Sequence, residues 1–328
     1  MQKYISFDSW YGGLCNIRTS YELAAGISFM TGRKLILPKK VYCDHVTPYG
    51  ERRKERFLDW WSIFDKQAFI KEFDCIDYEE VEEYKKFECE YQYFNNICRD
   101  IRCFPLNEKF SNWGNSPSHL LERTLTFKDL DVEDKFIHFP RNLYGHWYAI
   151  LDFNENQKKI FKQKIRRGLR LLEKYNRKFF DEPYNAIHVR GGDFMYAGDN
   201  WKNAASMIIN NLDKIIKFKF REESKPIFIA SDIEDRSIFN KIKSHKYYFI
   251  SDFIKASKLD NIAYDLNTCA QANIFLGSKF STFTDYIHIL RKYRGGKNFS
   301  QIGLNYDYRD LDDKKENYAW EKIFVNNY

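Results

Sequence analysis

Three short segments carry residue types and spacings that can do chemistry. The first is His188-Val189-Arg190-Gly191-Gly192-Asp193-Phe194, where an apolar run delivers an arginine to its end and two glycines follow. Arginine suits a phosphate because its planar fork donates two parallel hydrogen bonds. The glycines would let a ligand approach the backbone closely, and Asp193 can hold the fork in place. The same letters also suit a structural Arg–Asp pair at a turn. The second segment is Gly277-Ser278-Lys279-Phe280-Ser281-Thr282-Phe283, which follows a strand pattern and opens a helical one. Ser281 is a good N-cap, and the outward amides of Thr282 and Phe283 would make a phosphate site. Plain capping explains that segment equally well alone; two such sites in one block point to a diphosphate. The third is Gly12-Gly13-Leu14-Cys15-Asn16-Ile17-Arg18, a glycine-bearing turn before a helix. It is not the G-x-G-x-x-G fingerprint, which disfavours a nicotinamide or flavin cofactor, and G-x-x-x-x-G-K-[ST] is absent, which argues against a P-loop.

These segments need a scaffold, and the hydrophobic periodicity supplies an α/β alternation. Tyr4 to Phe7 reads as a buried strand, Ile17 to Met30 as a helix stopped by Gly32, and Lys34 to Leu37 as the next strand. A strand–helix–strand unit of that length favours a parallel sheet. A second block repeats the pattern. Strands are expected at 186–189, 226–230, 247–250 and 273–276, with helices at 204–216, 262–272 and 282–291. The stretch 42–134 is irregular, with acidic and loop-like pieces, and suits an elaborated substrate region. Strand character returns at Lys135 to Phe139.

The chain has 328 residues, 44% hydrophobic and 30% charged, which is long enough for two domains and too apolar for disorder. Aromatics are abundant (29 Phe, 23 Tyr, 7 Trp), and part of that surplus can line a polar cleft. No run of about 20 apolar residues could span a bilayer, and the first residues lack the apolar core of a signal peptide. The seven cysteines are odd in number and lack paired CxxC spacing, so free thiols in a reducing compartment are expected, with a Cys98–Cys103 bridge as the alternative. Together these favour a cytoplasmic protein; a bacterial or viral enzyme would fit. The net charge is +7, much of the excess lying in Lys158 to Lys178. There Ile160, Phe161, Ile165, Leu169, Leu171 and Leu172 are spaced for one face of a helix with a solvated basic outer face. No nucleic-acid motif accompanies it.

Taken together, the three segments resemble the GDP-fucose-dependent O-fucosyltransferase and α-1,6-fucosyltransferase superfamily. GGLCNIR, a helix and KLILP are similar to its opening G-x-x-N loop, helix and strand; FLDWWSIFDKQAFI is similar to the segment that follows. HVRGGDF resembles its H-x-R motif. YDLNTCAQANIFLGSKFSTF resembles its last motif, in which an Asp precedes a Ser-Thr/Ser-Phe triplet by sixteen residues, as Asp265 precedes Ser281. The likeness is weakest between about Tyr78 and Asp134.

The resemblance implies a GT-B fold, two Rossmann-like domains facing a central cleft. An N-terminal acceptor-side domain would span 1–155 with its irregular insertion. A nucleotide-sugar domain would span 156–328, with a last helix able to pack back on the first domain. It implies an inverting, metal-independent transfer of fucose from GDP-L-fucose to a hydroxyl of a glycan or protein, with no cofactor and no nucleic-acid partner. Arg190 would contact the β-phosphate and glycosidic oxygen, with His188, Gly191 and Asp193 beside it. Asp265 would read guanine, and Ser281, Thr282 and Phe283 would cradle the diphosphate. Asn16, with Gly12 and Gly13, would face sugar and acceptor. Another GDP-linked sugar, or a catalytically silent nucleotide- or sugar-binding protein, are the alternatives. Some members of the superfamily carry a Glu where this chain has Gly13, so a catalytic base must come from elsewhere, from water, or not be needed. Asp8, His146 and Asp193 are candidates. The Asp-x-Asp patterns at 129–131 and 310–312 lack a preceding buried strand and read as solvated surface.

Overall fold

The computed structural model describes residues 2–9, 12–38, 41–43, 57–81, 101–103, 126–131, 133, 135–143, 147–192, 199–220, 225–278, 281–294 and 299–302. The chain divides into two compact units, Met1–Leu172 and Glu173–Tyr328.

In the first unit β1 (Tyr4–Ser9) leads into α1 (Leu14–Thr31) and β2 (Lys34–Leu37). The short β3 (Val41–Tyr42) and β4 (Phe57–Leu58), α2 (Lys66–Glu72), β5 (Cys75–Asp77), β6 (Ile101–Cys103) and α3 (Phe127–Leu130) follow. β7 (Phe136–Leu143), α4 (Trp147–Ile150) and α5 (Glu155–Gly168) complete it. The main sheet has the order β5-β2-β1-β7-β6, every pairing parallel. Gly32 ends α1 in the left-handed conformation (φ 66°), returning its N–H to Ser28 O, as a glycine there allows. α1 is buried over most of its surface, including the ion-paired Arg18 and Glu22 one turn apart.

In the second unit β8 (Asn185–Val189), α6 (Asp199–Lys219), β9 (Ile227–Ser231), β10 (Tyr247–Tyr248), α7 (Lys258–Gln271), β11 (Phe275–Ser278), α8 (Thr282–Tyr293) and β12 (Phe299–Ile302) alternate. Their sheet is also parallel throughout, in the order β10-β9-β8-β11-β12. Its core is the apolar face of β8, β9 and β11 against α6, with Ile187, Val189, Leu212, Ile216, Ile229 and Leu276 buried together. β8 is buried along its whole length, as a central parallel strand must be.

Three sequence expectations need correction. The boundary falls at 172/173 rather than 155/156, because α5 packs on the first unit. Phe161 lies against Trp147, Phe153 and Phe29 at ring separations of 5.0, 5.3 and 5.6 Å. Arg167 grips both oxygens of Glu72 at 2.7 and 2.8 Å, and Arg170 pairs with Asp65. The basic helix is also shorter than the pattern suggests. It ends at Gly168, whose Cβ position is filled by Phe73 and Glu72; Leu171 forms a β-bridge to Phe64, and Ile160 faces solvent. Finally, β11 begins two residues later than expected, at Phe275. Gly277 and Ser278 pair with Gln301 and Ile302, which makes them strand rather than loop.

Cys75 and Cys269 are free thiols, while Cys98 lies outside the described residues. Asp131 is exposed just beyond α3; residues 310–312 and any last helix beyond Ile302 lie outside the description. No helix among the described residues is long and apolar enough to cross a membrane.

Candidate functional site

The carboxyl ends of β8, β9 and β11 lie side by side, since the three strands are neighbours and parallel. Side chains at such strand ends are where open α/β sheets hold ligands. β8 delivers Arg190, whose Nε lies 3.2 Å from Asp232 Oδ2 at the end of β9. Both side chains are only partly accessible, 18% and 25%. The other oxygen of Asp232 accepts from the amides of Gly191 (2.8 Å) and Gly192 (3.0 Å). One carboxylate thus fixes both the guanidinium and the turn behind it. Burial pushes the Asp232 carboxyl up, but the Arg190 charge and the two amides outweigh that and hold it below its ordinary value.

Asp193, the expected partner of the fork, lies outside the described residues; among the described residues Asp232 pairs with Arg190. The signal was present, since Asp232 follows the strand Ile227–Ser231. Only the strand order reveals that this strand is the neighbour of β8. The glycines also meet a packing need. A Cβ on Gly191 would meet Ile233 Cδ1 at 2.5 Å, and one on Gly192 the carbonyl of Asp232 at 2.9 Å. They are small so that the ends of β8 and β9 can close on each other.

β11 and α8 complete this edge. Ser278 Oγ donates to His188 O (2.8 Å) and accepts from the Arg190 amide (2.9 Å), tying β11 to β8 at the arginine. His188 is buried, with Nδ1 2.8 Å from Thr284 Oγ1 and its ring 4.6 Å from that of Phe283. Burial, with the Arg190 charge, pushes its pKa down to about 3 against the pull of Asp232, so the imidazole is neutral and braces the start of α8. Thr284 was not anticipated; it lies one residue past the segment that was. Gly277 lets α8 approach, because a Cβ there would run into Thr284. Ser281 occupies the N-cap position of α8 and is buried, but its side chain makes no capping hydrogen bond, contrary to expectation. Thr282 and Phe283 are half-buried in the first turn. An arginine and a helix N-terminus on adjacent strand ends make an anion site of two independent parts.

Asp265 sits in the middle of α7, which packs on β8 and β9. As a residue it is half-buried, yet its Oδ1 is shut off from solvent and has no hydrogen-bond partner among the described residues. Burial pushes this carboxyl well above the usual carboxylate range, and the charge of Arg236 pulls it back only in part. A buried acceptor without a donor is unusual enough to need a reason.

In the first unit, Gly13 is the N-cap of α1 and accepts from the amides of Asn16 (2.9 Å) and Ile17 (3.1 Å); Gly12 is buried and Asn16 half-buried. At the carboxyl end of β1, Asp8 Oδ2 lies 3.7 Å from His138 Nε2 on β7, and His138 Nδ1 lies 2.9 Å from Ser6 Oγ. His138 is buried, while the Asp8 side chain remains 32% accessible. The register of β1 against β7, with Ser6 opposite His138, creates this chain of three. His146 lies outside the described residues. Among the described residues no three His, Cys, Asp or Glu side chains gather as a metal site.

Each unit is built on a parallel five-stranded sheet, and the second carries Arg190 and the N-terminus of α8 at its strand ends. No sequence-family model matches the chain, and no curated protein matches its sequence. Solved structures do match. The structure of POFUT1 in complex with GDP-fucose superposes with a TM-score of 0.56 at 12% identity, over 93% of this chain and 98% of that one. A second crystal form of the same complex gives 0.53. The fucosyltransferase NodZ from Bradyrhizobium gives 0.50 at 13% identity, over 88% of this chain and 94% of that one. The chain shares the fold of these solved fucosyltransferase structures.

Proposed function

We propose that this chain is a glycosyltransferase that moves fucose from GDP-L-fucose to a hydroxyl of a glycan or protein, with inversion and without a metal ion. The observation that carries the proposal is Arg190, held by Asp232 at the strand edge where α8 also presents its N-terminus. Cleavage of the bond between sugar C1 and the β-phosphate oxygen leaves its electron pair on departing GDP. The guanidinium and the helix N-terminus meet that growing charge from fixed positions, without reorganisation at the moment of reaction. Asp265 takes the two donors of the guanine edge, N1–H and N2–H. The acceptor oxygen bonds to C1 from the opposite face, which inverts the centre, and its proton passes to a base. Asp8, accessible and backed by His138, is the candidate base within the described residues, with Asn16 assigned to orient the sugar and acceptor.

A thermal-shift panel of GDP, UDP, ADP and GDP-fucose tests the reading. A ligand that binds only the native state raises the melting temperature according to its excess over Kd. GDP and GDP-fucose should stabilise the protein and UDP and ADP should not. Equal stabilisation by all four would overturn it.

A further inference from the structure

Ser6 and Asp8 are two residues apart on β1, a spacing that puts both on one face of the sheet. His138 stands opposite Ser6 on the neighbouring parallel strand β7, on that same face. The pairing of the two strands is regular up to Phe7 with Phe139 and resumes at Ser9 with Leu143, so Pro140, Arg141 and Asn142 pass the single Asp8. Proline has no amide to give the ladder at that point. A break of this kind bends the strand and re-aims its side chains. The Asp8 side chain stays 32% accessible there, while Ser6 and His138 are buried.

The Ser6 hydroxyl decides where the imidazole carries its hydrogen. It lies 2.9 Å from His138 Nδ1 and has no other hydrogen-bond partner among the described residues. If this buried hydroxyl accepted from Nδ1, its own hydrogen would be left without an acceptor, which is costly. Ser6 therefore donates to Nδ1, and the neutral ring carries its hydrogen on Nε2. Nε2 is the nitrogen 3.7 Å from Asp8 Oδ2, a separation at which an N–H attracts a carboxylate without yet bonding to it. Resting on the reading of Asp8 as the base, we propose that Ser6 and His138 are positioning residues for it: Ser6 pins the ring so that Nε2–H faces the Asp8 carboxylate, and His138 never takes the proton. In the transfer step the electron pair of the acceptor O–H forms the bond to C1, and the pair of the C1–O bond leaves with GDP. The proton goes to Asp8 and, because Nε2 already bears a hydrogen, stays there until solvent removes it.

Nitrogen NMR of isotope-labelled histidines reads the tautomer directly, with His138→Gln assigning the resonance. In wild type Nε2 should carry the hydrogen and Nδ1 should be a bare, hydrogen-bonded acceptor. GDP release from GDP-fucose, with water as the acceptor, and GDP affinity are then measured for Ser6→Ala, His138→Leu, His138→Gln and Asp8→Asn, with circular dichroism confirming each fold. Ser6→Ala unpins the ring and should slow turnover about five- to tenfold, the worth of one neutral hydrogen bond, with GDP affinity unchanged. His138→Leu should lose at least as much. His138→Gln offers an N–H from its amide but cannot take a proton, and it should restore most of the rate. A wild type with hydrogen on Nδ1, a His138→Gln as slow as His138→Leu, or a Ser6→Ala that turns over like wild type would overturn this inference alone. An Asp8→Asn that turns over like wild type would overturn the base reading and this inference with it.

Discussion

Replacing Asp232 should separate holding the backbone from holding the charge. The alanine variant removes the acceptor of two amides, at 2.8 and 3.0 Å, and the partner of Arg190 at 3.2 Å. Each amide left without an acceptor costs about 1–2 kcal/mol, and the partly accessible ion pair adds about 1 kcal/mol or less. The sum is roughly 2–5 kcal/mol, a fall in melting temperature of about 5–20 °C for a unit of this size. Asp232→Asn keeps a carbonyl oxygen for the amides and loses only the charge, so about 1 kcal/mol is expected. Both variants free Arg190 to move, and a misplacement of about 1 Å can cost about 10²-fold in rate. Urea denaturation and turnover of GDP-fucose, measured on the same preparations, give both numbers. Asp232→Asn should therefore be nearly as stable as wild type and much less active. An alanine variant as active as wild type would refute the claim that Asp232 positions Arg190; equal stability of the two variants would refute the role given to the amides.

Three further outcomes follow from the structure. Gly277→Ala places a methyl group on Thr284 and should cost about 1–3 kcal/mol by overpacking, weakening GDP binding with it, read by denaturation and the thermal-shift panel. Asp8→Asn should lower turnover while leaving GDP affinity unchanged; equal losses in both would remove Asp8 from the acceptor side. Stability should fall on acidification. His188 and His288 are pushed down to about 3 by burial, so below about pH 6.5 the unfolded chain takes up protons that the folded one cannot. Asp265, pushed up by burial, works in the opposite direction. Each histidine costs up to roughly 1.4 kcal/mol per pH unit as the pH drops from about 6.5 towards about 5, and one carboxyl can offset at most one such share, so stability falls. A flat profile in urea melts over that range would contradict it.

The α/β class and most elements around the site were legible because the strands are short apolar runs and Gly32 stops α1 where a left-handed residue is needed. Arg190 and the Asp265–Ser281 spacing were legible as local motifs. The pairing of Arg190 with Asp232 was not, because Asp232 lies far along the chain and comes close only through the β8–β9 pairing. Ser278 was hidden for a similar reason: its hydroxyl joins β11 to β8, a relation between strands that no local pattern carries. The two glycines after Arg190 showed that space was required but not what fills it. The end of α5 was misplaced because leucines continue the helical spacing past Gly168. Packing of that glycine against Phe73, and the bridge from Leu171 to Phe64, turn the chain away.

The most direct test is the release of GDP from GDP-fucose by wild type, Arg190→Ala and Arg190→Lys in the presence of EDTA, with circular dichroism confirming each fold. Removing one preorganised donor to a developing oxyanion typically costs about 10²–10³ in rate. Lysine cannot span two oxygens as the guanidinium fork does and should rescue little. Wild type should turn over without added metal, with both variants folded and slowed by at least about 10². Wild type inactive until Mg²⁺ or Mn²⁺ is restored, or Arg190→Ala keeping more than about a tenth of wild-type turnover, well short of the loss expected for such a donor, would contradict it.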